Sequence, residues 1–157
     1  MRTTRKRAEA LPQFHNGSAG LPAWLAGMAL GAIAVSASAD DLHIRVQQLK
    51  PKVGTVVVAV YDKSADFPVP EKRMAAQVVE ALGDTAEVVF GGLAKGRYAV
   101  VAYQDENRNG KLDKNFLGLP IEPYGFSNDA RGSMGPPSFD AASIDSAAAS
   151  TIVINLH

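Results

Sequence analysis

Residues 97–104 read R-Y-A-V-V-A-Y-Q, and this stretch decides the class of fold. It is rich in β-branched and aromatic residues, and Lys95 and Gly96 form a turn signal directly before it, which is typical of a β-strand. A second run, 54–61, reads G-T-V-V-V-A-V-Y and is almost continuously apolar. Because apolar residues are not confined to alternate positions, this run indicates a central strand.

Five further segments carry weaker strand patterns: 42–47, 74–81, 86–90, 138–144 and 151–156. The first and the last alternate apolar and polar residues, which indicates strands with one buried face. The 86–90 segment is predicted to close at Gly91 and Gly92. The 74–81 segment fits either a short strand or one helical turn, and 138–144 is a candidate seventh strand.

Six or seven short strands with a turn signal about every ten residues predict an all-β fold. We expect an antiparallel, seven-stranded, Ig-like β-sandwich. No stretch of about twelve residues shows a helical period with caps. One connection is unusual, because residues 105–137, which follow the strand ending at Gln104, carry no strand pattern. A loop of this length in a compact domain is commonly functional or stiffened by something bound to it.

The N-terminus has the features of a secretory signal peptide. Basic residues at positions 2, 5, 6 and 7 precede an apolar run, 21–35, and small residues stand at Ala37 and Ala39. This order predicts a signal peptide over 1–39 that is cleaved after Ala39. The alternative is a membrane anchor, but the apolar run is shorter than the ~20 residues that a spanning helix needs. We therefore expect one domain, 40–157, that is periplasmic or secreted and has no membrane span.

Charge argues against one class of function, and cysteine content argues against disulfide bonds. Four of the 16 basic residues and one of the 16 acidic residues lie in 1–39, which leaves 12 against 15 and a net charge of −3. A mildly acidic domain lacks the basic patch that nucleic-acid binding requires. The chain has no cysteine, so no disulfide can stabilise it in an oxidising compartment.

The sequence D-E-N-R-N-G-K-L-D, residues 105–113, resembles the first three-quarters of an EF-hand calcium loop. Oxygen-bearing side chains stand at loop positions 1, 3, 5 and 9, and Gly110 stands at position 6, where a sharp turn is needed. Position 7 contributes its backbone carbonyl in such loops. The predicted calcium ligands are therefore Asp105, Asn107, Asn109, the carbonyl of Lys111, and Asp113.

Three departures separate this loop from an EF-hand. Position 12 is Phe116 instead of a glutamate, no helix flanks the loop, and positions 3 and 5 are neutral asparagines. Glu122 is the candidate for the missing ligand. We expect a structural calcium ion, of low affinity, in a loop between strands. The alternative is a turn without an ion, for which the Asn109–Gly110 pair is also suited.

Catalytic signals are weak. His43 and His157 form no metal-ligand spacing, and neither a cysteine nucleophile nor a G-x-S-x-G elbow is present in 40–157. We therefore predict a non-enzymatic binding or structural module with an unknown envelope protein or glycan as its partner. Tyr124 and Phe126 leave an alternative open: they either stack on sugars, as in a carbohydrate-binding or adhesion module, or attach the long loop to the sandwich. A carboxylate enzyme using Asp105, Asp113 and Glu122 is the third hypothesis.

Three stretches of the sequence read G-L-A-K-G-R-Y-A-V-V-A-Y-Q-D-E-N-R-N-G-K-L-D, G-L-P-I-E-P-Y-G-F-S-N and P-P-S-F. Together they resemble a family of short secreted bacterial domains of unknown function. More distantly, the L-x-x-G-x-Y-x-V pattern at 93–100 resembles transthyretin-like domains, which implies a seven-stranded sandwich. The resemblance implies no activity. At position 104 the family pattern would place a histidine. Gln104 stands there instead, which removes a possible transition-metal ligand.

Overall fold

The computed structural model describes residues 40–157, which form eight β-strands in two sheets. The strands are β1 (Asp40–Gln47), β2 (Thr55–Tyr61), β3 (Ala75–Glu80), β4 (Thr85–Leu93), β5 (Arg97–Asp105), β6 (Tyr124–Phe126), β7 (Ser143–Asp145) and β8 (Thr151–Asn155). A short helix, α1, spans Phe139–Ala142, and 3-10 turns span Pro70–Lys72 and Ser127–Asp129.

The predicted signal peptide, 1–39, lies outside the described residues, so the signal peptide and its cleavage site stay predictions. In the part of the chain that the structure covers, no helix has the length and apolar character needed to cross a membrane.

The first sheet has the order β4-β1-β8, and the second has the order β3-β2-β5-β6. In the first sheet β1 pairs antiparallel with β4 but parallel with β8. All pairings in the second sheet are antiparallel. One edge of β5 carries two short strands, because its 101–103 stretch pairs with β6 and its 97–99 stretch pairs with β7.

The all-β, two-sheet architecture was correctly predicted, whereas the expectation of seven antiparallel strands was wrong. There are eight strands among the described residues, and the β1–β8 pairing makes the first sheet mixed. The extra strand, β6, lies inside the long connection after β5 and is only three residues long. The parallel pairing is set by chain topology, which local alternation of apolar residues does not reveal.

Two boundaries also differ from expectation. β4 continues through Gly91 and Gly92 to Leu93, and the register with β1 shifts there, so the glycines form a bulge instead of ending the strand. The 138–144 segment begins as helix α1, where the Ser138 hydroxyl accepts a hydrogen bond from the backbone N–H of Ala141. A serine N-cap favours the helical turn over the strand. Only the end of this segment pairs, as β7.

The main core lies between the two sheets. It contains buried side chains from β1, β2, β4, β5 and β8, among them Leu42, Ile44, Val46, Val56, Val58, Val60, Val88, Phe90, Val100, Ala102 and Ile154. These positions alternate along each strand, so each strand contributes one face to the core.

The outer face of the second sheet is covered as well. Phe67, Phe126 and Phe139 pack over β2 and β5 in a second apolar cluster. Their rings meet edge to face, with centroids 5.9 Å apart for Phe67 and Phe126 and 6.0 Å for Phe67 and Phe139. β2 and β5 are thus buried on both faces, which explains why their sequences are almost continuously apolar.

Gly54 fixes the distance between the turn before β2 and the end of β5. Its φ is +63°, and a Cβ at this position would overlap the carbonyl oxygen of Asp105. Gly92 also has a positive φ, +74°, but no atom lies within 4 Å of the place that its Cβ would take. Gly54 therefore combines a positive φ with a close backbone contact, whereas Gly92 has the positive φ without the contact.

We predict that Gly54→Ala destabilises the domain by about 3 kcal/mol or more, because the methyl group adds overlap with backbone to the strain of a positive φ. The matched control, Gly92→Ala, carries the strain alone and should cost about 1–2 kcal/mol. Urea unfolding of the two variants measures the difference. Equal losses for both variants would show that β5 and the 54 turn do not approach as closely as described.

Candidate metal site

The predicted calcium loop begins where β5 ends. Asp105, the last residue of β5, is only 2% exposed. Its Oδ1 accepts a hydrogen bond from the backbone N–H of Asn109 at 3.0 Å, and its Oδ2 accepts one from that of Gly110 at 2.7 Å. A buried carboxylate needs such donors, so the loop is wound around the Asp105 side chain.

Three other side chains of the loop meet one another. The Asn107 Nδ2 donates to Asp113 Oδ2 at 2.6 Å, and the Asn109 Nδ2 donates to Asp113 Oδ1 at 2.9 Å. The amide oxygens accept hydrogen bonds from the backbone two residues on: Asn107 Oδ1 from Asn109 N–H, and Asn109 Oδ1 from Lys111 N–H. These are Asx turns, which bend the chain so that alternate side chains converge.

Glu122 supports the loop from the other side. It is 7% exposed, and its Oε1 accepts from the backbone N–H of Glu106 at 2.8 Å while its Oε2 accepts from that of Asp113 at 2.9 Å. One carboxylate therefore ties the first and last turns of the loop together. The backbone N–H of Ile121 donates to the Asp113 carbonyl at 2.9 Å, which holds Glu122 beside the loop.

Two residues anchor the turn itself. Arg108 has a φ of +64°, and its guanidinium donates to both carboxylate oxygens of Glu80 on β3 at 2.9 and 2.7 Å. This pair lowers the pKa of Glu80 below its usual value, through the hydrogen bond from Arg108. On the inner side of the turn, the Tyr103 hydroxyl donates to the Gly110 carbonyl at 3.1 Å.

The structure brings together some of the predicted ligands. The side chains of Asn107, Asn109 and Asp113 contact one another. The Asp105 carboxylate bonds instead to backbone N–H groups of the same loop, and the Glu122 carboxylate bonds to the backbone at Glu106 and Asp113. Within residues 40–157, no three His, Cys, Asp or Glu side chains are grouped so as to hold a metal ion. The predicted set relies instead on amide and carbonyl oxygens, which are ordinary calcium ligands.

The donor chemistry fits a hard cation. Each ionised carboxylate has about four lone-pair sites, so Asp105 can accept its two backbone hydrogen bonds and still offer an oxygen to an ion. Asp113 receives amide N–H groups, and a cation there would replace those hydrogen bonds by contacts with oxygen atoms.

Tyr124 and Phe126 belong to the part of the long connection that packs against the second sheet. Phe126 is 8% exposed and belongs to the outer apolar cluster, and Tyr124 is partly buried with its ring 5.9 Å from that of Phe126. A small cavity of about 110 Å³ lies beside them, lined in part by Asp129, Arg131 and His157. This placement agrees with the interpretation that the two rings attach the loop to the sheet.

Sequence patterns missed four residues that shape the site: Gly54, Tyr103, Gln104 and Arg108. Gln104 is fully buried, and its amide bonds the backbone of Lys50 and Val53, which fixes the turn next to Gly54. The sequence did carry one signal for the role of Gln104: it is an uncharged polar residue inside a strand, and a buried amide must find hydrogen-bond partners. The roles of Gly54 and Arg108 depend on contacts with distant strands and had no local signal.

The fold and site define a two-sheet β-domain with a carboxylate-centred loop between strands. The chain belongs to the family described as "Uncharacterized protein conserved in bacteria (DUF2141)", which matches residues 44–154. The match runs from β1 to β8 and includes the whole 105–122 region. Searches of curated proteins and of solved structures found no match. The predicted resemblance to a bacterial family of unknown function is thus confirmed in this coarse form.

We predict that Glu122→Gln destabilises the domain by about 2 kcal/mol, because the new amide NH2 faces a backbone N–H where an oxygen had accepted. Hydrogen exchange at Glu106 and Asp113 should accelerate. Glu87→Gln is the control, since Glu87 forms an exposed pair with Arg45 and should change stability by less than about 0.5 kcal/mol. Unchanged exchange at Glu106 and Asp113 would contradict the role assigned to Glu122.

Alkaline pH should also destabilise the domain. Burial raises the pKa of Tyr61, Tyr98 and Tyr103 above their usual 10.0, and the charge of Asp105 raises the pKa of Tyr103 further. The unfolded chain then releases these protons first, so the stabilisation is complete below pH 10 and is lost as pH rises through the folded-state values.

We therefore expect tyrosinate absorbance at 295 nm and loss of β-sheet circular dichroism to rise together above about pH 10. Tyr103→Phe should shift the loss of structure to higher pH, because it removes one of the perturbed hydroxyls. Titration of every tyrosine with a midpoint near 10 in a fully folded protein would contradict this prediction.

Proposed function

We propose that the domain is a non-enzymatic binding or structural module whose 105–113 loop holds a structural calcium ion. The proposed ligands are Asp105, Asn107, Asn109, the Lys111 carbonyl and Asp113. Glu122 supports them by fixing the loop backbone, and it is the proposed sixth contributor.

The observation that carries the proposal is convergence. Asn107 and Asn109 both donate an amide N–H to the carboxylate of Asp113, at 2.6 and 2.9 Å, so the three side chains that carry proposed oxygen ligands already meet at one place. Gly110, with a φ of +77°, makes the sharp turn that a calcium loop needs at its sixth position.

The proposed ion would stiffen the loop without deciding whether the domain folds. The core between the sheets is extensive and does not involve the loop. Two neutral amides and two carboxylates give the loop little negative charge, so we expect a dissociation constant near 10⁻⁴ M, as in extracellular calcium modules. That affinity suits a compartment with millimolar calcium, and we accordingly propose a periplasmic or secreted location.

A catalytic role for the same carboxylates receives less support. An acid–base pair needs oxygens that face a cleft at a suitable separation. Both oxygens of Asp105 and both of Glu122 accept backbone N–H groups instead. Surface cavities of about 110 and 140 Å³ lie away from these residues and are smaller than the ~300 Å³ of typical ligand sites.

The carbohydrate-binding alternative requires exposed aromatic rings. Phe126 is buried and Tyr124 is partly buried, so a flat stacking platform is not available at this pair. We also propose that the fold is of the transthyretin-like type, because the β4–β5 turn at 93–100 carries the L-x-x-G-x-Y-x-V pattern between facing sheets.

We predict that calcium stabilises the protein. At 1 mM calcium and a dissociation constant near 10⁻⁴ M, linkage gives about 1.4 kcal/mol, which corresponds to a rise of about 5 °C in melting temperature. Thermal melting followed by circular dichroism, with calcium against a chelator, measures it. Asp113→Asn should weaken the response, since it removes the charge at the point of convergence.

The matched control is Asp145→Asn. Asp145 is exposed and accepts a hydrogen bond from the backbone N–H of Ala147, so it resembles a loop aspartate but lies outside the loop. This variant should keep the full calcium response. A wild-type melting temperature that stays the same at 5 mM calcium would refute the calcium proposal.

A further inference from the structure

A second feature of the long connection is an exposed apolar turn beyond the calcium-like loop. We call residues 116–121, F-L-G-L-P-I, the apolar tip. Phe116 is 95% exposed, and the side chains of Leu117, Leu119 and Ile121 are 58–67% exposed. Single exposed apolar residues are normal on a protein surface, whereas four within six residues of one turn mark an interaction site.

Within the apolar tip, the backbone N–H groups of Leu117, Gly118, Leu119 and Ile121 form hydrogen bonds inside the loop. Asn115 Oδ1 accepts hydrogen bonds from Leu117 N–H and Leu119 N–H, at 2.9 and 3.1 Å. The Asn115 carbonyl accepts from Gly118 N–H, and Asn115 N–H donates to the Leu119 carbonyl. Because a free N–H is costly outside water, a turn with these internal bonds can enter an apolar medium cheaply.

Positive charge flanks the tip. Lys111 and Lys114 are exposed, and neither forms an ion pair with another of the residues that the structure describes. The nearby carboxylates of Asp113 and Glu122 are less exposed than the two lysines and accept hydrogen bonds from amide and backbone N–H groups, so Lys111 and Lys114 are the exposed charges within residues 111–122. The exposed surface beside the tip therefore favours an anionic partner.

The size and shape of the tip favour a lipid surface over a protein. Burial of four such side chains removes roughly 250–500 Å² from water. A stable protein interface needs about 800 Å² on each partner, together with a complementary groove. A bilayer needs no groove, and a convex apolar turn with flanking lysines has the composition of an interfacial anchor.

We propose that the apolar tip inserts into the headgroup boundary of a membrane containing anionic lipids, where Lys111 and Lys114 contact lipid phosphates. The domain would then lie on a membrane without crossing it. This inference does not rest on the calcium proposal, because exposure, backbone bonding and flanking charge are properties of residues 111–121 alone.

The first test uses the full chain with a single tryptophan in the tip. Trp24, the chain's one tryptophan, is replaced in the double variant Trp24→Phe/Phe116→Trp. With equimolar phosphatidylcholine and phosphatidylglycerol vesicles, in the presence of a calcium chelator, the tip indole emission should shift to the blue and be quenched by lipids brominated near the headgroup. The control, Trp24→Phe/Leu82→Trp, places the indole at another exposed apolar site and should not respond. An unchanged tip emission overturns the proposal.

Vesicle sedimentation is the second test. Phe116→Ser/Leu119→Ser should lower the partition coefficient at least about tenfold, whereas Val78→Ser/Leu82→Ser, at exposed positions elsewhere, should not. Lys111→Glu/Lys114→Glu should lower binding to anionic vesicles by more than about fivefold, and Lys52→Glu/Lys95→Glu should lower it less. All variants keep residues 1–39, so any contribution of that segment is common to them.

Two results would contradict the proposal in this test. One is equal sedimentation of the tip variants and their controls. The other is that Phe116→Ser/Leu119→Ser changes the sedimentation coefficient of the protein without lipid, which would assign the tip to a contact between two copies of the chain.

Discussion

The rest of the structure depends on one constraint: strands β2 and β5 are apolar on both faces, so both faces of the second sheet must be covered. The first sheet covers the inner face and supplies the main core. Phe67, Phe126 and Phe139 cover the outer face. Because Phe126 comes well after the end of β5, the chain leaves the second sheet at Asp105 and returns to it at β6, where Phe126 lies. The long connection that holds the candidate site is a consequence of that path.

Buried carboxylates determine the shape of this connection. Asp105 and Glu122 lie at its two ends and together accept hydrogen bonds from four backbone N–H groups: those of Glu106, Asn109, Gly110 and Asp113. Hydrogen bonds to a charged acceptor are stronger than neutral ones, so two side chains can hold a loop that has almost no regular secondary structure. The apolar tip extends from this fixed base, which gives the tip a defined orientation.

The sequence predicted those parts of the fold that have a local cause. β2 and β5 were predicted because burial on both faces gives a continuous apolar run, and β1 and β8 because burial on one face gives alternation. β6 was missed because it depends on packing of Gly125, where a Cβ would overlap the carbonyl oxygen of Asn155. In the site, the alternate spacing of Asn107, Asn109 and Asp113 led us to expect that their side chains lie together, and these side chains do contact one another; their role as calcium ligands stays a prediction. The hydrogen bonds of Glu122 to the backbone depend on how the chain returns, which no local pattern encodes.

The central claim is that the side chains of the 105–113 loop that carry oxygen atoms form a cation site. A crystal structure of the protein grown with calcium tests it most directly. The account predicts one ion bound to Asp105, Asn107, Asn109, the Lys111 carbonyl and Asp113, at the ~2.3–2.6 Å typical of calcium–oxygen contacts. A structure in which the two asparagine amides still donate to Asp113, with no ion in the loop, would contradict it.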